Sequence, residues 1–314
     1  MYNGWKSILI QEYSEVMTVK DRRALKGAAL TMFSGMLSGF SGTCGQFLLQ
    51  SRGWTSNFLV PIRLLISGAI LLMLSLLGRE KQILRIFRED CRDILIFGVL
   101  GMSMCQYTYF TAVGASNAGT ATVLQYTGPV MILLWICLKN RRLPRVLEML
   151  AIAFALTGTF LLATHGRPGS MVLSGRGLMW GLLAAVALAF YTVQPEQLLK
   201  KHGSLLVTGW AMFIGGVVLM LVFRPWTMRV MFDFKAFLAM CGVVLLGTVM
   251  SFTLFLEGVR CIGPQKSSLY SSVEPVSATL FSSMLMGSVF GAMDLLGFAC
   301  IISTIFLLAI DKKD

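Results

Sequence analysis

The sequence predicts an all-α membrane protein of ten transmembrane helices, arranged as two inverted five-helix repeats. The prediction depends on the apolar composition, on the spacing of the apolar segments and on an internal repeat. Of the 314 residues, 56% are apolar and 13% are charged, whereas soluble domains carry about 25% charged residues. Ten crossings of about 20 residues leave about 110 residues for ends and connections, which excludes a separate soluble domain.

Ten apolar segments follow one another with short connections, and each is about as long as one bilayer crossing. They cover residues 25–49, 57–78, 93–114, 118–138, 146–164, 177–199, 204–223, 236–259, 265–287 and 289–310. Residues 1–24 are mixed and polar, without the apolar core of a signal peptide. We expect this cytoplasmic segment to be a disordered tail, with a helix lying on the membrane surface as the alternative.

The basic residues predict the orientation. Twenty Lys and Arg residues fall on the side shared with the amino terminus, six fall on the other side, and Arg63 lies inside the second segment. Positively charged loops stay in the cytoplasm, so both termini are predicted to be cytoplasmic in a multi-pass protein of the cell (inner or plasma) membrane. The same rule accounts for the net charge of +12 without nucleic acid.

An internal repeat divides the chain into residues 25–164 and 174–310. A shift of 146 residues superimposes Pro129–Ala163 on Pro275–Ala309 without a gap. The proline pair Pro129/Pro275 and the acidic pair Glu148/Asp294 share this register and carry the weight of the match. Shifts of 145 and 150 extend it upstream, through Thr108/Thr253, Phe110/Phe255, Gly27/Gly177, Leu48/Leu198 and Leu49/Leu199. Because each half has five crossings, the second half enters the membrane from the opposite side. Inverted repeats are typical of secondary transporters, which expose a midplane site to each side in turn.

Several motifs then indicate a family. They are Arg63 before a leucine-rich run, Tyr109, Phe110 and Ala112, the pair Gly128 and Pro129, the glycine-opened sixth helix at Gly177, Phe255 and Leu256, Gly263 and Ser268, and the pair Glu274 and Pro275. On these residues the chain resembles the EamA-like ten-helix branch of the drug/metabolite transporter superfamily, over about residues 25–310. The resemblance implies secondary active transport, usually export, of amino acids, related metabolites or drugs. Uptake of the same class is the alternative direction.

The two prolines of the repeat mark a candidate substrate site. A proline cannot donate a hydrogen bond to the carbonyl four residues earlier, so Pro129 frees that of Gln125 and Pro275 that of Ser271. Free backbone groups at membrane depth are tolerated where protein or a water-filled cavity satisfies them. With Tyr126 beside the first proline, we expect these segments to line a cavity; the alternative is a packed kink.

Glu274 is the strongest single candidate because an ionisable group inside a membrane segment is costly and commonly functional. We expect it to hold a substrate ammonium or to exchange a proton, so protons are a candidate coupling ion. The alternative is a carboxyl that hydrogen-bonds two helices together.

Other candidates have strong structural alternatives. Glu257 is predicted at the mouth of the pathway, or in an ion pair with Arg260 three residues later. Arg63 is predicted either to bind a substrate carboxylate or to anchor its helix. The tyrosines Tyr107, Tyr126 and Tyr270 are predicted to stack on a substrate, with core packing as the alternative.

Packing roles are predicted for small and acidic residues. Gly35 and Gly39 have the spacing of a close helix contact. Glu148 and Asp294 suit the starts of the fifth and tenth helices, where a negative charge complements the helix dipole.

The sequence lacks the motifs expected of an enzyme, a metal site or a nucleotide-binding protein. Both histidines fall in predicted loops, the seven cysteines have no paired spacing, and there is no glycine-rich phosphate loop. We therefore expect no enzyme activity, metal or cofactor, and a small-molecule substrate and the lipid bilayer as partners. A membrane sensor and an intramembrane enzyme are the alternatives from other classes. Substrate, coupling ion and oligomeric state stay open at this point.

Overall fold

The computed structural model describes residues 2–77, 84–167, 172–262, 267 and 270–311, with side chains described within 22–308 apart from that of Arg260. These residues form helices, and no strand occurs among them. The main helices are α1 (Tyr2–Gln46), α2 (Ser56–Leu77), α3 (Cys91–Ala115), α4 (Ala118–Lys139), α5 (Val146–Thr164), α6 (Gly175–Val193), α7 (Ser204–Phe223), α8 (Phe234–Val259), α9 (Val273–Met286) and α10 (Ala292–Asp311). The predicted all-α class is confirmed.

Helices α2 to α8 are each long and apolar enough to cross a membrane, seven spans within the described ranges. In α10 the apolar stretch is the shorter Ala292–Leu308. The main difference from the sequence prediction is at the amino terminus. Helix α1 begins at Tyr2, so the prediction of a disordered tail was wrong. Residues 1–24 contain no proline and one glycine, and extending an existing helix avoids the cost of nucleation.

The packing directions show the relation between the halves. Helix α1 packs antiparallel to α8 and parallel to α9. The contacts that fix these directions are Gly27 with Cys261, Cys44 with Gly242, Gly35 with Ser271 and Gln46 with Ser282. Helix α6, the equivalent of α1, packs antiparallel to α3 and parallel to α4. Here the contacts are Gly177 with Ala115, Gln194 with Asp93, Gly181 with Leu124 and Gly128 with Ala185.

The other large contacts join equivalent helices of the two halves, namely α2 with α7, α4 with α9 and α5 with α10. Each pair is antiparallel, as shown by Leu65 with Gly216 and Leu72 with Gly209, by Gly119 with Thr279 and Tyr126 with Glu274, and by Gly158 with Ile301 and His165 with Asp294. These large contacts therefore correspond to one another under a pseudo-twofold operation. The inverted repeat is confirmed.

Two pairs of irregular backbone segments follow the same symmetry. Helices α3 and α8 contain π-helical turns at Phe97–Met102 and Gly242–Met250. Helix α4 is interrupted after Gln125 and resumes at Gly128, and α9 begins at Val273 after a turn. The interruptions precede Pro129 and Pro275 directly, and each proline removes a helical N–H donor at an equivalent place in the two halves.

Two names are used below for the faces of the bundle. The face that holds Lys26, at the start of the predicted first crossing, is the amino-terminal face. The other, which holds the α1–α2 connection near Arg52, is the opposite face.

Candidate functional site

Glu274 and Tyr126 join the two repeats at their interrupted helices. The Tyr126 hydroxyl lies 3.1 Å from Glu274 Oε2 and 3.2 Å from the carbonyl oxygen of Ser271. That carbonyl is the one that Pro275 leaves without its helical donor. A phenol has one hydrogen to donate, so the hydroxyl serves either the carboxylate or the carbonyl. A side chain of the first repeat thus reaches the break in the second.

Glycines allow α1 to approach this site closely. A Cβ atom on Gly35 would lie 3.1 Å from the Ser271 carbonyl oxygen, and one on Gly39 would lie 2.6 Å from the backbone nitrogen of Ala278. The second distance is shorter than any ordinary contact, so a larger residue would push α9 away. The close helix contact predicted for Gly35 and Gly39 is present. It packs α1 directly against the segment of α9 that carries Glu274.

The carboxyl is present in one repeat only. Under the shift of 146 residues, Glu274 is equivalent to Gly128, which packs with its α carbon facing Ala185 of α6. The two halves therefore share a backbone arrangement around the interrupted helices but differ in charge at its centre.

Arg63 is buried nearby, with 6% of its surface exposed. Its Nε donates to Thr248 Oγ1 at 3.2 Å, its Nη1 donates to Gln106 Oε1 at 2.7 Å, and its guanidinium lies 4.7 Å from the ring centre of Phe110. These partners are neutral, and no ion pair among the described residues joins Arg63 to Glu274. Arg63 ties α2 to α3 and α8 and contributes a positive charge beside the carboxyl.

A second polar layer adjoins the site. Gln125 Nε2 lies 3.6 Å from the sulfur of Cys105, and the hydroxyls of Tyr109 and Thr122 lie 2.9 Å apart. Gln125, Pro129 and Tyr126 thus lie with Ser271, Glu274 and Pro275 in one region.

Three candidates lie elsewhere. The Tyr107 hydroxyl donates to Asn57 Oδ1 at 2.8 Å, and its ring stacks on Phe223 at 5.1 Å, because α3 presents this residue to α2 and α7. Tyr270 is 36% exposed. Glu257 lines a cavity at the amino-terminal face, and its predicted ion pair with Arg260 involves a side chain outside the described residues.

Two cavities open at the two faces. One of about 400 Å³ at the amino-terminal face is lined by Arg22, Arg23, Lys26, Glu257 and Cys261. One of about 560 Å³ at the opposite face is lined by Leu49, Trp54, Thr55, Ser56, Thr111, Gly114, Ala115, Ser174, Arg176 and Trp180. Lys26 and Arg176 are equivalent under the shift of 150 residues, and Glu257 and Cys261 lie within one residue of the equivalents of Thr111 and Ala115. Glu274 lines neither cavity.

Equivalent ion pairs lie in the connections that follow α1 and α6. At the opposite face Arg52 donates to Asp233 through Nε at 3.1 Å and Nη2 at 2.9 Å. The backbone N–H of Ala236 and the Arg52 guanidinium lower the pKa of Asp233. At the amino-terminal face Asp90 bonds His202 at 2.7 Å and Lys201 at 2.6 Å. These bonds lower the pKa of Asp90.

The cluster at the amino-terminal face has metal-ligating atom types, since ligand atoms of Glu89, Asp90 and His202 lie within 4.8 Å of one another. The Lys201 ammonium lies 2.6 Å from Asp90 and 3.1 Å from Glu89. A cation already holds these carboxylates, so the cluster is an ion-pair network.

The acids at the starts of α5 and α10 have the predicted capping position. Glu148 accepts two bonds of 2.7 Å from the Arg142 guanidinium and one of 2.7 Å from the Arg145 backbone N–H. Asp294 bonds the Gly291 backbone N–H and His165, both at 2.8 Å. Both acids therefore fix the helix starts.

Comparison with known proteins decides the family. The sequence model of the EamA-like transporter family matches residues 25–164 and residues 175–310. The chain belongs to the EamA-like transporter family. It is therefore a member of the drug/metabolite transporters, and the expectation from its motifs is confirmed.

Relatives in this family are named as transporters. The chain is 38% identical over 290 residues to the inner membrane transporter YicL of Salmonella typhimurium, covering 92% of this chain and 96% of the relative. It is 25% identical over 263 residues to the transporter YetK of Bacillus subtilis, covering 80% and 78%. It is 22% identical over 225 residues to the threonine/homoserine exporter RhtA of Escherichia coli K12, covering 70% and 72%.

A solved crystal structure has the same fold. It superposes with a TM-score of 0.60 at 16% identity and covers 92% of this chain and 96% of that one. The family and the relatives make this protein a multi-pass membrane transporter.

Sequence reasoning missed the glutamine partners of the site. Gln106 holds Arg63, and Gln46 is 2% exposed at the end of α1. The signal was available, because a polar side chain within an apolar segment needs a partner. The partner itself depends on the helix packing.

Proposed function

We propose that this protein is a secondary active transporter that exports a small amino-acid-like metabolite by alternating access. In this proposal the Glu274 carboxyl is the central group that binds both the substrate and the proton. The bond from Tyr126 to Glu274 carries this proposal. It joins the two inverted repeats at the break in each, which is where transporters of this architecture bind substrate.

Alternating access is supported by the pair of equivalent cavities. One lies at each face. The first is lined by α1 around Lys26 and by the end of α8, and the second by the start of α6, the end of α3 and the α1–α2 connection. A pseudo-twofold exchange of conformations between the repeats would open one path as it closes the other. The site at Glu274 lies between the two faces and so is reached from each in turn.

The substrate class follows from charge. A carboxylate attracts an ammonium group, and the buried guanidinium of Arg63 beside it provides a positive field for a carboxylate. A zwitterion matches both charges. The relative named as a threonine/homoserine exporter supports a small amino acid, and it also supports export as the direction.

Proton coupling follows from the same carboxyl. When protonated, Glu274 gives up its attraction for an ammonium, so binding of substrate and of a proton compete at one group. Such competition lets a proton gradient drive the substrate in the opposite direction.

The orientation completes the proposal. With the amino-terminal face in the cytoplasm, both termini are cytoplasmic in the inner membrane, in agreement with the inner membrane transporter among the relatives. The cavity lined by Arg22 and Glu257 is then the entry side for an exported substrate.

The test is transport of labelled threonine, homoserine and a panel of other amino acids in proteoliposomes, with and without a proton gradient. We expect the wild-type protein to transport one class and to accumulate it against its gradient. Glu274→Gln should abolish this accumulation. The matched control is Asp93→Asn, which removes an exposed carboxylate at the start of α3, and it should transport like wild type.

The results separate the parts of the proposal. Accumulation by Glu274→Gln equal to wild type would contradict the role of Glu274. No transport of any panel member by folded wild-type protein would contradict the substrate class. Substrate movement in the same direction as the protons, rather than in the opposite direction, would indicate uptake.

A further inference from the structure

Gln46 connects three helices near the opposite face. Its side-chain oxygen accepts from the Ala118 backbone N–H at 2.9 Å and from the Ser282 hydroxyl at 2.7 Å. Its side-chain nitrogen donates to Ser288 Oγ at 3.2 Å and to Gln50 Oε1 at 3.0 Å. An amide has two donor hydrogens and two acceptor lone pairs, so all four are used. Gln46 therefore holds α1 to the start of α4 and to the end of α9.

Gln50 extends the connection to α3. Its side-chain nitrogen lies 2.8 Å from the carbonyl oxygen of Ser116 and 3.3 Å from that of Val113. The last carbonyls of a helix and its first N–H groups have no helical partners. Gln50 thus donates to carbonyl groups at the end of α3, while Gln46 accepts from an N–H group at the start of α4. Together they hold the α3–α4 turn against α1.

Bulky groups seal the space between these glutamines and Glu274. A Cβ on Gly42 would lie 2.5 Å from the hydroxyl oxygen of Tyr109, and one on Gly45 would lie 2.9 Å from a ring carbon of Phe110. The path from the carboxyl to the opposite face is therefore closed along α1, first by these rings and then by the glutamines.

The equivalent positions at the amino-terminal face are arranged differently. The shift of 150 residues makes Glu196 and Lys200 the counterparts of Gln46 and Gln50. The described hydrogen bond of this pair joins the two side chains to each other at 2.6 Å, and they are 65% and 75% exposed. The pseudo-twofold symmetry is thus broken at this point, with bonds between helices at the opposite face and an exposed pair at the amino-terminal face.

We infer that Gln46 and Gln50 form the gate at the opposite face, and that breaking their bonds to the α3–α4 turn and to α9 is the step that exposes the site there. The inference rests on the proposed alternating access and adds the residues that control it. Because all the bonds come from neutral amides, the gate closes without a charge that would have to be desolvated at each cycle.

The test uses Cys105, which lies beside Gln125 and is 4% exposed. A membrane-impermeant thiol reagent is added from the opposite face, and mass spectrometry of peptides measures which cysteine is modified. In Gln46→Ala we expect modification of Cys105 about ten-fold faster than in wild type, since each lost hydrogen bond shifts the opening equilibrium several-fold. Gln50→Ala, which removes an exposed side chain, should give a smaller increase in the same direction.

The matched control is Gln197→Ala, which removes an exposed glutamine at the amino-terminal face and should leave Cys105 at the wild-type rate. Two results would overturn the inference. One is an unchanged rate in both gate variants. The other is modification from both faces together with buried Cys137, which would show that Gln46 only maintains the fold.

This assay needs no substrate, so its failure is distinct from failure of the proposed function. If transport is found and Cys105 does not respond, the gate alone is wrong. If Cys105 responds and folded protein transports nothing, the gate stands and the substrate class is wrong.

Discussion

Single residues determine the chemistry of the site. Glu274 and Tyr126 were predicted as site residues from the sequence, because an acid inside an apolar segment and a proline at the equivalent place in each half are typical of a functional position. Their bond could not be predicted, since it depends on how closely α4 and α9 cross. The same limit applies to Arg63, whose partners Thr248 and Gln106 lie on two other helices.

Removal of the Tyr126 hydroxyl tests the connection between the repeats. In Tyr126→Phe, Glu274 and the Ser271 carbonyl lose the donor that they share. We expect the free energy of unfolding to fall by about 1–2 kcal/mol and transport to slow, measured by thermal unfolding in detergent and by proteoliposome flux.

Tyr191→Phe is the control for this change. The Tyr191 ring packs against Phe97 with centres 5.4 Å apart, and its hydroxyl has no described hydrogen bond. Equal loss in both variants would mean that the Tyr126 hydroxyl has no special role.

At the scale of helices, the sequence predicted where segments lie and where they break. Apolar periodicity located the ten helices, and the prolines located the interruptions of α4 and α9. The π-helical turns of α3 and α8 were not predicted, because they depend on hydroxyls that bond five residues back, Ser103 to Gly98 and Thr248 to Val243. The residue composition of these segments therefore does not distinguish a π-helical turn from the surrounding α-helix.

The close approach of α1 to α9 is testable through Gly39. In Gly39→Ala the new Cβ would lie 2.6 Å from the Ala278 nitrogen, so backbone has to move. Overpacking of this kind costs about 1–3 kcal/mol, and we expect a lower melting temperature and slower transport. Gly175→Ala, at a helical position with open space around it, should melt at or above the wild-type temperature. The interpretation fails if Gly39→Ala does the same.

At the scale of the whole molecule, the two repeats place equivalent ion pairs at opposite faces. Arg52 with Asp233 and His202 with Asp90 each join the connection after a first helix to the start of a third helix of the other repeat. The inverted topology followed from the odd number of crossings per half. The pairing of these residues followed only from the structure, since their sequence separations of 181 and 112 residues give no pattern.

The Asp233 pair has a predictable pH dependence. Its pKa is lowered in the folded protein by the Ala236 N–H and by Arg52, so the stability it contributes is present above its ordinary value of 3.8 and is lost as the pH falls through the lowered pKa. Asp233→Asn keeps a side chain that caps α8 but loses the charge. We expect a lower melting temperature at pH 7 and a difference from wild type that shrinks below pH 3.8. A difference that is constant across this range would contradict the ion-pair role.

The central claim is that two inverted halves expose one site around Glu274 to each face in turn. Its most direct test is counterflow of labelled threonine into proteoliposomes loaded with unlabelled threonine. A single alternating site predicts that internal threonine accelerates entry of the label, because the site returns loaded. Entry that is independent of internal threonine would indicate two separate sites or an open channel, and would contradict the account.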